Sequence, residues 1–370
     1  MKPGIHFPKI LVAPLDWGLG HATRCIPLIN ELVRQGCFVW LAAGGSSLQL
    51  LREQFPQLPF LPLKGYDVFY HNTKSNFKWT MIRQIPKIAA SIKQEHNWLK
   101  KAMDDHHFDV IISDNRYGLS SKKALSVFIT HQLGILTGMG KLADKLLQRI
   151  NYRYIRNFDE CWVPDFKGQQ NLAGKLSRPS VSPPNAKYIG ALSRFQKKEA
   201  DKKYDLLIVL SGPEPRRTIF EQLLLKELKT YDGKVLLVRG LIDGIPALNA
   251  ATGAEVVDFL SSDALNTAIC QSEWVICRSG YTSVMDLVQL EQKAILVPTP
   301  GQPEQEYLAQ WLHRNEIFYA GTEASFSLRQ SLQEAKQFPF LFTAFQPFLS
   351  GYKTHIEQLV QKLKLMRNGF

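Results

Sequence analysis

The chain has 370 residues, more than a usual single domain, and this length predicts two domains of roughly 150–200 residues. Its net charge of +12 favours a polyanionic partner, which would be nucleic acid, an anionic membrane surface or a phosphorylated substrate. Five scattered cysteines without a C-x-x-C pair argue against a zinc site and for reduced thiols in the cytoplasm, and no apolar run approaches the ~18 residues of a membrane span.

The first half of the chain alternates between short apolar runs and amphipathic stretches, as a parallel sheet covered by helices requires. Strands are predicted at residues 9–13, 38–42, 60–63, 110–113, 127–130, 161–163 and 187–189. Helices are predicted at residues 21–35, 46–54, about 117–125 and 138–156. A long insertion separates the third predicted strand from the fourth.

After a polar segment at residues 190–203 the alternation starts again. Strands are predicted at residues 205–210, 235–238, 255–257, 274–277 and 294–297, and helices at 218–229, 264–270, 282–290 and from about 303. The restart predicts an α/β chain of two doubly wound, Rossmann-like domains that face each other across a cleft. We place them at residues 1–190 and 191–351, with a C-terminal helix over 352–370 that packs back on the first domain.

A glycine loop follows the first predicted strand. Gly18 and Gly20 allow close approach to the backbone, and His21 comes at the start of the next helix. The positive end of a helix dipole disfavours imidazolium, so we expect a neutral His21 that can accept a proton. The loop lacks the third glycine of the G-x-G-x-x-G fingerprint, which favours a catalytic loop over a dinucleotide site. The alternative is a histidine that only caps the helix.

Polar residues also follow two later strands of the first half. Asp114 comes after the strand at 110–113, and His131 and Gln132 come after the strand at 127–130. The carboxyl ends of parallel strands meet at one edge of the sheet, where ligands bind. Asp114 and His131 are therefore further acid–base candidates. Each of them alone fits a turn or helix-cap residue equally well.

Residues 274–310 contain two consecutive strand–loop–helix units, whose loops and helix N-termini meet at the nucleotide-binding edge of an α/β sheet. Backbone N–H groups there suit a diphosphate, and two acids with an amide suit sugar hydroxyls. Two ordinary βα units are the alternative. The residues concerned are Arg278, Ser279, Gly280, Asp286, Gln305 and Glu306.

A second candidate phosphate loop opens the second half. Ser211 and Gly212 follow the strand at 205–210, and Arg216 and Arg217 precede a helix, which predicts a diphosphate clamp or two solvated arginines. The chain contains no D-x-D triplet and no tight metal spacing of its candidate His, Asp and Glu residues. We therefore expect a metal-independent mechanism and no cofactor.

Two stretches carry much of the basic charge. Residues 64–101 hold eight Lys and Arg side chains interleaved with aromatic and isoleucine residues. A stripe on a predicted helix consists of Lys141, Lys145, Arg149, Arg153 and Arg156. Cations beside apolar side chains suit an anionic membrane surface. A solvated helix face over a core stripe is the alternative. Motifs for nucleic-acid recognition are absent, so we expect no nucleic-acid partner.

Together these residues resemble the GT-B glycosyltransferases of family 28, in order and spacing over most of the chain. The resemblance is most specific in the second half, where it implies that Asp286 binds the donor's ribose and that Gln305 and Glu306 bind its sugar. It implies that His21 is the glycine-loop histidine and that the His131–Gln132 segment faces the acceptor. The remaining donor contacts that it implies are Arg194, Ser211, Gly212, Phe259, Leu260, Arg278, Ser279, Gly280 and Thr282.

The chain also departs from the family pattern. The loop after residue 210 is Ser-Gly-Pro-Glu-Pro instead of a glycine–serine run, Asp286 replaces a glutamate, and Glu306 stands where an amide is usual. These departures concern the donor sugar and the acceptor more than the class of reaction.

The resemblance implies an inverting transfer of a sugar from a UDP-sugar to a hydroxyl of a lipid-linked or cell-envelope acceptor. The protein would be cytoplasmic, or peripheral on the inner face of the cytoplasmic membrane. One alternative keeps the fold and changes the reaction, to a UDP-sugar hydrolase or epimerase. An alternative of another class is a non-catalytic protein that binds nucleic acid or membranes through its basic surface.

Overall fold

The computed structural model describes residues 7–66, 77–241 and 253–368. The chain divides into two compact units. The first unit contains Met1–Leu192 and Pro347–Phe370, and the second contains Ser193–Gln346. The chain thus leaves the first unit two residues after the predicted domain end at residue 190.

The first unit is built on a seven-stranded sheet in which all neighbouring strands are parallel. Its strands are β1 (Lys9–Pro14), β2 (Phe38–Ala43), β3 (Phe60–Pro62), β4 (Val110–Asp114), β5 (Leu125–Ile129), β6 (Glu160–Val163) and β7 (Ala186–Tyr188). Their order is β3-β2-β1-β4-β5-β6-β7. The central strands β1 and β4 are almost fully buried, which explains their continuous apolar sequences.

Among the described residues, four helices of the first unit precede the second unit in the chain. They are α1 (Leu19–Arg34), α2 (Gly45–Gln54), α3 (Phe77–His106) and α4 (Lys141–Ile155). Side chains of α3, including Leu99, Ala102 and Met103, pack with Leu11 and Ile111 of the central strands in one core cluster. The predicted insertion therefore supplies a covering helix of the sheet.

The predicted helix at residues 117–125 is wrong. This segment is an irregular connection between β4 and β5. Buried polar bonds hold it in place: the Gly118 N–H donates to the Glu95 carboxylate at 3.0 Å, and the Ser113 hydroxyl donates to the Arg116 carbonyl at 2.6 Å. Because α3 provides Glu95, a tertiary contact replaces the backbone bonds that a helix would make.

The second unit repeats the architecture with six strands, again all parallel. The strands are β8 (Tyr204–Val209), β9 (Val235–Val238), β10 (Glu255–Val257), β11 (Ser272–Cys277), β12 (Ala294–Leu296) and β13 (Tyr319–Ala320), in the order β10-β9-β8-β11-β12-β13. The helices are α5 (Arg216–Leu228), α6 (Ser262–Cys270), α7 (Tyr281–Leu290), α8 (Pro303–Arg314) and α9 (Leu328–Lys336). Neither β13 nor α9 was predicted.

The last helix, α10 (Gly351–Asn368), belongs to the first unit and packs on α1. Its inner face buries Ile356, Leu359 and Val360. The chain passes close to itself where it returns, because a Cβ atom on Gly190 would lie 2.3 Å from the carbonyl oxygen of Phe348. A glycine is therefore required at residue 190 by packing as well as by its φ of +80°.

Within the described ranges, no helix has the length and apolar character needed to cross a membrane. The same part of the chain contains no group of three or more His, Cys, Asp or Glu side chains that could hold a metal ion.

Candidate active site

Each sheet has a point at which successive connections run in opposite directions. In the first unit the chain continues from β1 to β2 on one side and from β4 to β5 on the other. In the second unit β8 and β11 are the corresponding strands. Ligands of doubly wound sheets bind at this switch point, beyond the carboxyl ends of the strands. The loops and helices that follow these four strands carry most of the predicted site residues.

His21 and Asp114 form a direct pair at the switch point of the first unit. His21 lies in the first turn of α1, and Asp114 is the last residue of β4. The His21 Nδ1 atom lies 2.9 Å from Asp114 Oδ1. Asp114 is completely buried, whereas 15% of the His21 side chain is exposed. His21 is therefore the member of the pair that an incoming substrate can reach.

Gly18 determines how His21 enters this position. It precedes α1 with a φ of +73°, a conformation that L side chains rarely adopt, and nothing lies within 4 Å of a Cβ atom built on it. The glycine permits the sharp turn from β1 into the helix and keeps its surroundings open. Gly20 is within the first turn of α1, where its carbonyl accepts the Thr23 hydroxyl at 3.0 Å.

Arg24 completes the cluster from one helical turn further along α1. Its Nε donates to Asp114 Oδ2 at 2.5 Å, and its Nη2 donates to Asp114 Oδ1. The guanidinium is buried, so the two groups form a desolvated bidentate ion pair. Arg24 was not among the predicted site residues. Its spacing of three residues from His21 was the available signal, since this spacing puts two side chains on one helix face.

His131 reaches the same cluster from the segment after β5. Its Nδ1 lies 3.3 Å from Arg24 Nη1, and its side chain is buried. The adjacent Gln132 offers its carbonyl to the side-chain amide of Asn151 in α4, at 3.0 Å. The three residues predicted as alternative bases are thus parts of one cluster, joined by Arg24.

Burial and charge fix the protonation of the pair. Burial lowers the pKa of His21, and the charge of Arg24 lowers it further, against the opposing effect of Asp114. Burial opposes ionisation of Asp114, but the charges of Arg24 and His21 outweigh it and hold the pKa of this carboxyl well below its usual range. At neutral pH the cluster holds a carboxylate and a neutral imidazole. Such an imidazole can take a proton from a hydroxyl group.

Asp286 is the centre of the candidate site in the second unit. It is buried in α7, where its Oδ1 accepts the Ser193 hydroxyl at 2.5 Å and its carboxylate also accepts the Arg194 backbone N–H. The Arg194 guanidinium donates to the Ser262 hydroxyl, at the first residue of α6, at 2.9 Å. Burial raises the pKa of Asp286 to about 6, although Arg194 and Ser193 oppose this effect.

Phe259 and Leu260 lie between β10 and α6, and both are half-buried. The next residue, Ser261, caps α6 by accepting the Ala264 N–H at 3.4 Å. These two predicted donor contacts are therefore adjacent in sequence to the start of α6, where Ser262 bonds Arg194. Hydrogen bonds thus link Asp286 to Arg194 and Arg194 to Ser262, and Phe259 and Leu260 shortly precede Ser262 in the chain.

The loops after β8 and β11 are open at their glycines. Ser211 and Gly212 are exposed, and Gly212 has a φ of +105° with nothing within 4 Å of a built Cβ atom. The surroundings of Gly280, which precedes α7, are equally open. A phosphate group can therefore approach the backbone at both loops. Ser279 is buried instead, and its hydroxyl donates to the Gln305 carbonyl at 2.8 Å.

The side chains of Gln305 and Glu306 turn back on the loop that precedes α8. Gln305 Oε1 accepts the Thr299 N–H at 2.9 Å, and Glu306 Oε1 accepts the Gly301 N–H at 2.8 Å. These bonds shape the loop. The bonds use Oε1 of each side chain, so Nε2 of Gln305 and Oε2 of Glu306 are the atoms that could contact a ligand. Thr282 is half-buried in the first turn of α7.

Two arginines expected near the donor belong to the framework instead. Arg278 is buried against the Phe220 ring, 3.9 Å from its centroid, and it is ion-paired with Glu323 at 2.6 Å. Arg217 is also buried. Guanidinium groups that are desolvated and fully engaged in this way are not available to a diphosphate. The other partners are the carbonyls of Arg216, Val297 and Pro298 for Arg278, and Glu214 and Glu221 for Arg217.

Comparison with known proteins agrees with the fold described above. Residues 227–341 match the model of the glycosyltransferase family 28 C-terminal domain. The chain is 25% identical over 319 residues to an uncharacterized glycosyltransferase of Methanosarcina acetivorans, covering 80% of this chain and 79% of that protein.

A second relative is the UDP-N-acetylglucosamine–N-acetylmuramyl-(pentapeptide) pyrophosphoryl-undecaprenol N-acetylglucosamine transferase of Actinobacillus pleuropneumoniae. It is 22% identical over 312 residues, which cover 81% of this chain and 80% of the relative. Among solved structures, the glycotransferase of kitacinnamycin superposes with a TM-score of 0.65 at 14% identity, over 97% of this chain and 99% of that one. The predicted GT-B fold and the resemblance to family 28 are confirmed.

Proposed function

We propose that this GT-B chain, whose second unit carries a glycosyltransferase family 28 C-terminal domain, transfers a sugar from a UDP-sugar to a hydroxyl of a lipid-linked or cell-envelope acceptor. The His21–Asp114 pair carries this proposal. A partly exposed neutral imidazole, backed by a buried carboxylate at the switch point of a sheet, is the arrangement that activates a hydroxyl nucleophile.

In the proposed reaction, His21 takes the proton of the acceptor hydroxyl as its oxygen attacks the anomeric carbon of the sugar. The new carbon–oxygen bond forms while the bond from that carbon to the UDP phosphate oxygen breaks. Asp114 stabilises the imidazolium that results, since it is an ionised carboxylate 2.9 Å from Nδ1. A single in-line displacement inverts the anomeric centre.

The second unit supplies the donor site in this proposal. The buried carboxylate of Asp286 suits two ribose hydroxyls, and Phe259 and Leu260 adjoin the helix start that bonds Arg194. The open backbone at Gly212 and Gly280, close to the starts of α5 and α7, suits the diphosphate. Helix N-termini would then stabilise the departing UDP without a metal. A UDP-sugar donor also agrees with the name of the Actinobacillus relative.

We further propose that α4 attaches the protein to an anionic membrane surface, where a lipid-linked acceptor would be found. Leu142, Leu146 and Ile150 are 86%, 59% and 44% exposed, in a row along this helix. A second exposed row, next to the first, consists of Lys141, Lys145, Arg149 and Arg153. Apolar side chains beside cations fit the headgroup region of an anionic bilayer. In the other basic stretch, Lys74, Lys78 and Arg83 lie outside the described side chains.

A ligand panel tests the donor assignment. Thermal unfolding would be followed with UDP, ADP, NAD and ATP, each up to high concentration. A ligand at 100 times its Kd adds about 2.7 kcal/mol to the stability of the state that binds it. We expect a clear shift with UDP and with its sugar esters. A shift with NAD or ATP and none with UDP would refute the assignment of a UDP-sugar as the donor.

Product analysis separates the reactions that share this fold. A hydrolase releases UDP from the UDP-sugar in the absence of any acceptor, and an epimerase converts the sugar without releasing UDP. For a transferase we expect UDP release that depends on added membrane lipid acceptors. A basic binding protein without catalytic activity would bind no nucleotide sugar, and it offers no reason for the buried pair of His21 and Asp114.

A further inference from the structure

Arg24 contacts all three candidate acid–base residues of the first unit. Its Nε and Nη2 hold the two oxygens of Asp114, and its Nη1 and Nη2 approach the ring nitrogens of His131 and His21. The three partners come from different parts of the unit: His21 from α1, Asp114 from β4 and His131 from the segment after β5. Asp114 also accepts the thiol of Cys25 at 3.6 Å. The groups whose charges act on His21 are Arg24, Asp114 and His131.

We propose that Arg24 is a positioning residue that acts together with Asp114 to give the two histidines opposite tautomers. Asp114 holds the proton of His21 on Nδ1, and Arg24 donates to Nδ1 of His131, so the proton of His131 is on Nε2. Only the assignment of His21 as the base rests on the proposed function. The tautomers themselves follow from the contacts.

The tautomer of His21 follows from the two groups that approach its Nδ1 atom. Its Nδ1 is 2.9 Å from Asp114 Oδ1 and 3.0 Å from Arg24 Nη2. A carboxylate only accepts and a guanidinium only donates, so one of these contacts is not a hydrogen bond. Nη2 already donates to the same Oδ1. A proton on Nδ1 gives Oδ1 two donors, whereas a lone pair there would face the carboxylate charge at 2.9 Å.

His131 has the other arrangement at the corresponding atom. Its Nδ1 lies 3.3 Å from Arg24 Nη1, and this group can only donate. Nδ1 of His131 therefore accepts, and the proton of the neutral ring is on Nε2. The two histidines differ because of Asp114. Its carboxylate bonds Nδ1 of His21, and its bidentate pair with Nε and Nη2 of Arg24 leaves Nη1 directed toward His131.

With opposite tautomers, the two rings differ in whether Nε2 can accept or donate a proton. His21 keeps a lone pair on Nε2 and can accept a proton there, whereas His131 carries a proton on Nε2 and can only donate from that atom. Arg24 also balances the charge of Asp114, so His21 is not held in its protonated form. The choice among the three predicted bases is thereby made in favour of His21.

Nuclear magnetic resonance of the full chain tests the tautomers directly. Selective 15N labelling of histidine and long-range 1H–15N spectra distinguish Nδ1–H from Nε2–H, and His21→Gln and His131→Gln variants assign the signals among nine histidines. At pH 7.5 we expect Nδ1–H for His21 and Nε2–H for His131. The reverse tautomer at either ring would overturn the proposal.

Variants of Arg24 test its role. In R24M the carboxylate of Asp114 loses its partner, so we expect the proton affinity of His21 to rise by about tenfold or more, as for a nearby unbalanced charge. We also expect His131 to show both tautomers. R24K keeps the positive charge without the fork. We expect R24K to fold and His131 to show both tautomers in it. If R24M does not fold, the result for R24K alone tests the role of Arg24.

Arg34 provides the matched control, since it lies on the same helix but is exposed and pairs with Glu31. R34M should leave both histidines unchanged. If R24K and R24M also leave the tautomers and the titration of His21 unchanged, Arg24 has only a structural role. None of these readouts needs a nucleotide or an acceptor. A chain that binds no UDP-sugar but shows these tautomers would refute the proposed function and retain the role of Arg24.

Discussion

Complete burial of a carboxylate costs several kcal/mol unless other groups satisfy it, so buried carboxylates are informative about function. Asp114 and Asp286 are both buried, but their surroundings differ. Asp114 has a bidentate arginine and a histidine, and its pKa is held well below the usual range. Asp286 has a hydroxyl and a backbone N–H, and burial raises its pKa to about 6. The first suits permanent support of an imidazole, and the second suits a ligand that supplies further donors.

Replacing His21 with alanine should separate catalysis from donor binding. Loss of a general base typically lowers turnover by about 10²–10⁴, and we expect a loss in this range. UDP affinity should stay near the wild-type value, because the proposed donor residues lie in the second unit. Turnover is measured as acceptor-dependent UDP release, with His96→Ala, an exposed histidine of α3, as the control. Near-normal turnover in His21→Ala would remove the imidazole from the mechanism.

The raised pKa of Asp286 predicts a pH dependence of UDP binding. Ribose hydroxyls donate to the ionised carboxylate, so affinity should be full well above pH 6 and should fall as pH decreases through about 6. For folding the sign is opposite. A raised carboxyl pKa stabilises the free protein below its unfolded value of 3.8, and this contribution is lost as pH rises through about 6.

Calorimetric titrations between pH 5 and 8 measure this dependence. The terminal phosphate of UDP also titrates near about pH 6, so the comparison requires Asp286→Asn, which retains only the phosphate titration. We expect the variant to bind more weakly and to lose part of the acid dependence. Identical pH profiles of the two proteins would exclude Asp286 from the ribose site.

At the scale of elements, α4 has two faces with different surroundings. Its inner face is fixed by Asn151, which bonds Gln132 and Tyr117, and by the buried Ile155. Its outer face exposes the apolar and basic rows. Because Gln132 adjoins His131, the helix connects the proposed membrane surface directly to the candidate acceptor segment.

Binding to anionic vesicles should depend on this outer face. Each cation near an anionic surface contributes about 1 kcal/mol to binding. Lys145→Glu with Arg149→Glu should therefore lower the affinity for vesicles, measured by co-sedimentation, more than tenfold at low salt. Leu142→Ser with Leu146→Ser should weaken it by removing apolar insertion. The matched control reverses two exposed charges at the C-terminal end of α5, in Lys226→Glu with Lys229→Glu. An equal loss of affinity in the α5 control would mean that binding depends only on net charge. Unchanged binding in both α4 variants would refute the proposal that the outer face of α4 binds the membrane.

At the scale of the whole chain, the first unit is completed only by residues that follow the second unit. The return segment crosses at Gly190 and places α10 on α1, the helix that carries His21 and Arg24. Stability of α1 therefore depends on residues more than 300 positions away in sequence.

Ile356→Ala tests this dependence. Ile356 is fully buried, and truncation of such a side chain typically costs about 2–5 kcal/mol, so the first unit should unfold at lower temperature. Leu365→Ala, at an exposed position of the same helix, should change stability by no more than about 0.5 kcal/mol. UDP should stabilise both variants as it does the wild type. An unaltered unfolding profile of Ile356→Ala would contradict the packing of α10.

The sequence determined the class of fold, because buried parallel strands require continuous apolar runs and their spacing requires covering helices. It also identified His21, Asp114 and His131 individually, since polar residues after apolar runs mark the carboxyl edge of a sheet. The error at residues 117–125 has a physical cause: Glu95, from a distant helix, holds that segment through its backbone.

Only the tertiary structure decided which of the predicted residues contact one another. The sequence predicted three alternative bases, and the structure brought them together around Arg24 because β1, β4 and β5 are neighbours in space. The sequence likewise could not distinguish an arginine that faces a ligand from one that faces Glu323, as Arg278 does. Residue spacing determines which side chains share an element. The partner of a buried charge is decided by segments far apart in the chain, and local sequence does not specify it.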